Sequence, residues 1–158
     1  MVEGRVSVLV ERVVKVYESA AGPVVALREV SLEARRGEVL AIMGPSGSGK
    51  TTLLNLIAGV DKPTAGRVVV EGYEVSRMSE SELRWFRARV VGYVLQQNNL
   101  VPGLTALENV LLPMAAAGKP DVTRARRLLA EVGLEGKENR FPEELSGGEQ
   151  QMLAIAVA

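Results

Sequence analysis

The sequence predicts an α/β fold in which a sheet-forming region precedes a helical one. Alternating apolar residues from Val6 to Val16 indicate a strand, and Val39–Met43 is apolar throughout, which is typical of a central strand covered on both faces. From about residue 106 onward, helical patterns continue without a clear strand between them. We therefore expect an α/β core over residues 1–97 and a helical region over residues 98–158.

Turn and capping residues place the other elements. A tight turn at Arg35–Gly37 ends the strand that begins at Val24, and the helix after the central strand runs from Gly49 to Ala58, with Gly59 as its C-terminal cap. Further strands are expected in GRVVVEGYEV and VVGYVLQQ, and a further helix at 122–132. Three capping boxes start helices at Ser79 with Glu82, Thr105 with Glu108, and Ser146 with Glu149.

The composition excludes several kinds of chemistry and of partner. Lysine plus arginine and aspartate plus glutamate number 19 each, so the net charge is zero and gives no reason to expect a nucleic-acid partner. Cysteine and histidine are absent, which excludes disulfides, thiolate metal sites and imidazole base catalysis. No stretch reaches the ~18 apolar residues of a membrane span, so we expect a cytoplasmic protein without direct membrane insertion.

The segment GPSGSGKTT, Gly44 to Thr52, matches the phosphate-loop pattern G-x-x-x-x-G-K-[ST] between an apolar strand and a helix. Its glycines allow the backbone amides of residues 46–51 to wrap a polyphosphate, and the N-terminus of the helix adds a partial positive charge. Lys50 is expected to reach the β- and γ-phosphates, Thr51 to bind Mg²⁺, and Thr52 to lie at the α-phosphate.

A dinucleotide fingerprint does not fit this loop, because it would need a glycine where the chain has Thr52. The predicted ligand is therefore a nucleoside triphosphate, bound as ATP with Mg²⁺. The candidate binding residues of the loop are Gly44, Pro45, Ser46, Gly47, Ser48, Gly49, Lys50, Thr51 and Thr52.

A second motif, LSGGEQ at residues 145–150, resembles the signature of ATP-binding cassette (ABC) ATPases, and the resemblance extends over essentially the whole chain. YVLQQNNLVPGLTALENVLLPM resembles the glutamine-loop segment of that family. TTLLNLIAGVDKPTAGRV and LTALENVLLPM look most like the branch that powers lipoprotein release and macrolide export. The implied fold is a P-loop core with an antiparallel β subdomain and a helical subdomain.

The resemblance also implies roles for individual residues. Tyr17 stands where the family stacks an aromatic ring on adenine, and Gln96 where a glutamine contacts Mg²⁺ and senses the γ-phosphate. The signature would contact the γ-phosphate held by a second cassette in a head-to-tail dimer, through Ser146, Gly147, Gly148 and Glu149. A separate transmembrane permease would hold the dimer at the inner face of the cell membrane. Taken alone, Tyr17 also fits an ordinary strand-end aromatic, and Ser146 with Glu149 an ordinary helix cap.

The hydrolytic parts of the family follow the signature: a strand ending in aspartate (Walker B), a catalytic glutamate and a switch histidine. Neither Asp61 nor Asp121 lies in such a strand, and Glu71 belongs to a short strand pair. The resemblance therefore implies that the C-terminal part of the core is missing and that this chain alone does not hydrolyse ATP.

Two consequences for the fold are expected. The central strand Val39–Met43 would lack a neighbour and leave an unpaired apolar edge. Met152 and Val157 stand where the family usually has arginine, so the last helix, 147–158, would be unusually apolar and uncovered.

Three other functions compete with a transporter ATPase. The first is a non-enzymatic ATP-binding fragment that docks on another cassette or on a permease. The second is a soluble ABC protein of DNA repair or translation. The interval of about 100 residues between the two motifs argues against a repair cassette, which carries a long coiled coil there. The third, a small P-loop kinase, does not explain LSGGEQ.

Overall fold

The computed structural model describes residues 5–95 and 100–158. Contacts divide the chain into two compact units, Met1–Val90 and Val91–Ala158. The functional division into a core over 1–97 and a helical region over 98–158 stays a prediction. Within the described ranges, no helix is both long and apolar enough to cross a membrane.

The first unit contains a four-stranded antiparallel sheet in the order β2-β1-β3-β4. β1 spans Val6–Tyr17, β2 spans Val24–Arg35, β3 spans Ala65–Val70 and β4 spans Tyr73–Glu74. The predicted strand at Val6–Val16 is thus confirmed. Its Val10 and Val13 are buried, as is Val68 of β3. Glu71 and Gly72 turn β3 into β4 with positive φ angles of 49° and 85°, as a two-residue hairpin requires.

Two α-helices complete the described part of this unit. Both start where the sequence predicts, and the first also ends at the predicted cap, Gly59. α1 spans Lys50–Ile57, and its end is closed by hydrogen bonds from the N–H groups of Gly59 and Val60 to Leu56 and Asn55. α2 spans Glu80–Arg89 and begins at the predicted capping box of Ser79. The two helices contribute Leu53, Leu56, Leu83 and Phe86 to the core.

Two predicted strands are absent from the described residues. Val39–Met43 has no hydrogen-bonded neighbour there, and Val39 and Met43 are 96% and 88% exposed rather than buried. Residues 91–95 form no strand either, while 96 and 97 lie outside the described ranges. The physical reason is that a strand exists only through its ladder partner, and apolar composition supplies none. Because no strand forms here, the expected unpaired strand edge stays a prediction.

The second unit is helical, as predicted. α3 spans Ala106–Ala116, α4 spans Val122–Glu131 and α5 spans Gly147–Val157. The buried Asn109 links the preceding loop to α3. Its side-chain oxygen accepts from the N–H of Val101 at 2.8 Å, and its side-chain nitrogen donates to the carbonyl of Leu104 at 2.9 Å. The core between these elements consists of Ala106, Val110, Ala125, Leu129, Leu134, Leu145, Leu153 and Ala156.

The last helix is better covered than the sequence suggested. Leu153 and Ala156 lie in the core of the second unit, and Val157 packs against it. Met152 and Ile155 remain exposed on the other side of α5. The expectation of an uncovered helix was therefore wrong for one face, because that face packs against α3 and α4. Val157, which stands where the family usually has arginine, lies on this packed face.

Candidate functional site

The glycine-rich loop is shaped by backbone conformations that only glycine adopts easily. Gly47 and Gly49 have φ angles of 78° and 89°, and the N–H of Ser48 donates to the carbonyl of Pro45 at 3.3 Å. A Cβ atom at Gly49 would lie 2.6 Å from the carbonyl oxygen of Ala26 on β2. The loop therefore rests directly on the sheet at Gly49, and no larger residue fits there.

The start of α1 differs from the starts of the other helices. In the described ranges, four helices begin at a side chain that accepts a hydrogen bond from their first turn: Ser79, Thr105, Asp121 and Ser146. The N-cap of α1 is Gly49, which has no side chain to do so. The first N–H groups of a helix have no partner within the helix. Those of α1 are therefore suited to an anionic ligand, which the positive end of the helix dipole also favours.

Lys50 lies against the same loop. Its Nζ donates to the carbonyl oxygens of Gly44 at 2.8 Å and Pro45 at 2.7 Å, and lies 3.4 Å from the hydroxyl of Ser48. The positive charge is therefore held inside the curve of the loop. Pro45, Ser46 and Thr51 are exposed and Thr52 is half-buried.

Tyr17, the predicted adenine contact, ends β1 opposite Val24 of β2. Its hydroxyl donates to Oδ2 of Asp61 at 2.8 Å, and Nζ of Lys15 lies 4.8 Å from the centroid of its ring. Tyr17 as a residue is 38% exposed. The phosphate loop contacts β2 at Ala26, and Tyr17 pairs with Val24 two residues away on the same strand. Tyr17 and the phosphate loop therefore lie near the same end of the β1–β2 hairpin.

The signature residues start α5. Ser146 is the N-cap, and its hydroxyl accepts from the N–H of Glu149 at 3.4 Å while its own N–H donates to Oε2 of Glu149 at 2.8 Å. Lys137 forms an ion pair with Oε1 of Glu149. The hydrogen bond from Lys137, followed by those from Ser146, lowers the pKa of Glu149 from 4.5 to about 2. The predicted capping box is confirmed.

The glycines of the signature are not required by the packing of this chain. Gly147 and Gly148 are exposed, and a Cβ atom at either would meet nothing within 4 Å. Their N–H groups occupy the first turn of α5, where no partner exists within the helix. The structure thus gathers Ser146, Gly147, Gly148 and Glu149 at one open helix start, whereas Gln96 lies outside the described residues.

None of the carboxylates of Asp61, Asp121 and Glu71 is placed as a free base. Asp61 accepts hydrogen bonds from Lys15 and Tyr17, and Asp121 caps α4. Glu71 accepts from Arg36 and Ser7, and these hydrogen bonds lower its pKa from 4.5 to about 2. In the part of the chain that the structure describes, no group of three carboxylate, histidine or cysteine side chains is arranged to hold a metal ion.

Sequence reasoning missed two groups near the site. Asp61 follows no strand, and Lys15 belongs to neither sequence motif. The available signal was the spacing of Lys15 and Tyr17 in one strand, since side chains two apart in a strand can reach the same neighbour. Lys137, the partner of Glu149, carries no comparable signal because it lies in an irregular loop.

A P-loop nucleotide-binding fold is defined by these features together: the glycine-rich loop, the uncapped helix start after it and the lysine held at the loop. The model of the ABC transporter family matches residues 27–158, and the chain belongs to this family. The expected enzyme family, that of the ABC-type ATPases, is thereby confirmed.

Two relatives illustrate the similarity. The lipoprotein-releasing system ATP-binding protein LolD of Aquifex aeolicus is 46% identical over 152 residues, which cover 94% of this chain and 65% of LolD. The methionine import ATP-binding protein MetN 1 of Rhodopseudomonas palustris is 45% identical over 158 residues, which cover 97% of this chain and 42% of that protein. The chain thus spans less than two-thirds of the length of either relative.

Solved structures agree with the family assignment. The dimeric structure of MJ0796, a bacterial ABC transporter cassette, superposes with a TM-score of 0.87 at 40% identity, covering 95% of this chain and 68% of that one. The same cassette has also been solved as a dimer in a post-hydrolysis state bound to ADP and Pi. The predicted fold class, a P-loop core with an antiparallel subdomain and a helical subdomain, is therefore confirmed.

Proposed function

We propose that the chain is the ATP-binding component of an ABC transporter. ATP binds with its phosphates in the loop Gly44–Thr52 and its adenine against Tyr17. The observation that carries this proposal is the start of α1, where a glycine N-cap leaves the first N–H groups to a ligand and Lys50 adds a positive charge. The loop is also exposed, so a nucleotide can reach it.

Magnesium fits this site as an ion carried mainly by the nucleotide. Mg²⁺ in proteins keeps several waters and is commonly held by one or two protein oxygens plus substrate phosphates. Thr51, an exposed residue in the first turn of α1, is the proposed protein ligand that lies within the described residues. Gln96 is the second proposed ligand and lies outside the described residues. The bound ion would neutralise phosphate charge.

The partners in this proposal are a second cassette and a transmembrane permease. In a head-to-tail dimer, Ser146, Gly147 and Gly148 of one subunit face the γ-phosphate above Lys50 of the other. Two observations support this arrangement: the glycines have open space around them, and the similar cassette MJ0796 is a dimer. The permease would keep the protein at the inner face of the cell membrane.

The transported substrate is not part of the proposal. The relative named for lipoprotein release and the one named for methionine import are 46% and 45% identical to this chain. So small a difference does not favour the lipoprotein-release branch over import. We therefore propose the class of transporter without a particular cargo.

We further propose that the residues of this chain bind ATP without turning it over. General base catalysis typically contributes ~10²–10⁴-fold and works best when the pKa of the base lies near the working pH. The carboxyl of Glu71, with a pKa of about 2, does not meet this condition. Asp61 and Asp121 are occupied by hydrogen bonds within the fold.

One experiment tests the proposal. Calorimetric titration with Mg-ATP compares the wild type with Lys50→Ala and with Lys119→Ala, an exposed lysine of the second unit. Removing Lys50 should weaken binding by about 1.5–3 kcal/mol, the usual range for hydrogen bonds to charged groups. Lys119→Ala should bind as the wild type does.

Two results would contradict the proposal. Equal ATP affinity in the wild type and Lys50→Ala would remove the phosphate loop from the binding site. Steady phosphate release by the wild type, abolished by Lys50→Ala but not by Lys119→Ala, would mean that this chain supplies a catalytic base after all.

A further inference from the structure

Asp61 and Lys15 form a connected group with Tyr17. Nζ of Lys15 donates to Oδ1 of Asp61 at 2.6 Å, and the hydroxyl of Tyr17 donates to Oδ2 of the same carboxylate at 2.8 Å. We propose that Asp61 and Lys15 are positioning residues for nucleotide base recognition, which hold the ring of Tyr17 ready for adenine. This inference rests on the proposed role of Tyr17 in ATP binding.

The group is partly shielded from solvent, which makes its ion pair more than a surface contact. The side chains of Lys15 and Asp61 are 12% and 29% exposed. Burial opposes ionisation of Asp61, but the hydrogen bonds from Lys15, Tyr17 and the N–H of Lys62 outweigh it, so the pKa of Asp61 lies below its ordinary value. The carboxylate is therefore charged at neutral pH and accepts from all three donors.

Asp61 is in turn fixed to the end of α1. The N–H groups of Val60 and Asp61 donate to the carbonyl of Asn55 at 2.9 and 3.3 Å. Lys15 makes a second bond, to the carbonyl of Lys62 at 2.7 Å, which ties β1 to the same loop. α1 has 8 residues and is thus about 12 Å long. It connects the anchor of the Tyr17 hydroxyl at one end with the phosphate loop at the other.

The arrangement also selects the face of the ring that a base can use. The ammonium group of Lys15 lies 4.8 Å from the centroid of the Tyr17 ring, within the range of a cation–π contact. That face is therefore occupied, and adenine must stack on the opposite one. Because the ring is held at its hydroxyl and at one face, it loses little rotational freedom on binding, which is the general benefit of preorganisation.

The test separates recognition of the base from recognition of the phosphates. Affinities for ATP and for inorganic tripolyphosphate are measured by calorimetry for the wild type, Tyr17→Ala, Asp61→Ala, Asp61→Asn and the double variant Tyr17→Ala/Asp61→Ala. Asp121→Ala is the matched control, because it removes the chain's other aspartate, which caps α4 in the second unit.

Asp61→Ala should lower the affinity for ATP by about two- to tenfold, the equivalent of freeing one ordered side chain, and the affinity for tripolyphosphate by less than about twofold. Tyr17→Ala should lower the affinity for ATP by about five- to hundredfold, the range for loss of one base–aromatic stack. The double variant should be no weaker than Tyr17→Ala, because Asp61 acts through the ring. Asp61→Asn, which keeps an acceptor for Lys62, should recover part of the ATP affinity.

The outcomes distinguish the two proposals. If Tyr17→Ala leaves the ratio of ATP to tripolyphosphate affinity unchanged, the adenine contact of the proposed function fails. If Tyr17→Ala changes that ratio and neither Asp61 variant does, only the positioning role is overturned. Equal losses for both ligands in Asp61→Ala, with none of the ATP affinity recovered by Asp61→Asn, would make Asp61 a purely structural residue of the loop.

Discussion

The starts of α1 and α5 carry the two motifs of this chain, and they solve the same problem differently. Both must satisfy the free N–H groups of a first helical turn. α5 bonds one of them, the N–H of Glu149, to the side chain of Ser146, and Lys137 pairs with the carboxylate of Glu149. α1 begins at Gly49 in a left-handed conformation without a side-chain cap. One helix start is partly capped by side chains of the protein, and the other has no side-chain cap.

The comparison also shows that glycine has two different meanings in these motifs. At Gly49 the fold itself requires glycine, because the backbone is left-handed and the carbonyl of Ala26 lies where a Cβ would be. At Gly147 and Gly148 the fold requires nothing of the kind, since the space around them is open. No neighbouring atom in this chain requires glycine there, which agrees with the proposed contact to a second cassette.

The largest effect is expected from Gly49→Ala. A non-glycine residue in the left-handed region costs about 1–3 kcal/mol, and the clash with Ala26 adds to this. The variant should therefore unfold at clearly lower urea concentration, measured by circular dichroism, and should bind ATP weakly. A variant as stable as the wild type would show that the loop does not rest on β2 as described.

A smaller loss is expected from Ser146→Ala. Removing an N-cap side chain typically costs about 0.5–2 kcal/mol, and the N–H of Glu149 loses its acceptor. A serine-to-alanine change in the phosphate loop, Ser46→Ala, should leave the free energy of unfolding unchanged, because no side chain caps α1. Equal losses in the two variants would remove the contrast between the helix starts.

Gly147→Ala should have a still smaller effect, with the opposite sign. Alanine favours a helix over glycine by up to about 1 kcal/mol, and at this position it meets no other atom. The urea midpoint should stay the same or rise slightly. A clear decrease would show that packing within the chain, and not an outside partner, requires this glycine.

The same position tests the proposed dimer. The variant Gly147→Trp should still bind ATP as a monomer, measured by calorimetry. It should not form ATP-dependent dimers with a full-length cassette, measured by light scattering. Normal dimerisation of this variant would contradict the proposed contact of the signature with the partner's nucleotide.

The smallest effect is a dependence of stability on pH. Because the pKa of Glu149 is lowered from 4.5 to about 2 on folding, its contribution is complete above pH 4.5 and is lost as the pH falls towards 2. Glu149→Gln should therefore be less stable than the wild type at neutral pH, and the difference should shrink between pH 4.5 and 2 in urea titrations. Glu131→Gln, from the exposed ion pair with Arg127, controls for the change in net charge. A difference that stays constant with pH would contradict the ion pair of Glu149 with Lys137.

Local features of this protein follow from the sequence, because they depend on residues close together in the chain. The three capping boxes link residues three apart, and each is present in the structure. The end of α1 at Gly59 and the left-handed Gly47 and Gly49 follow in the same way from the properties of glycine. The family, too, was evident from the phosphate loop and LSGGEQ.

Contacts between distant residues were decided by the tertiary structure alone. Val39–Met43 has the composition of a buried strand, yet it is exposed, because the partner that makes a strand cannot be read from the strand itself. Tyr17 meets Asp61 across 44 positions of sequence, and Lys137 meets Glu149 from an irregular loop. The sequence named Tyr17 and Glu149 as candidate site residues. Only the fold shows which charges hold them, because such pairings depend on how strands, helices and loops pack in space.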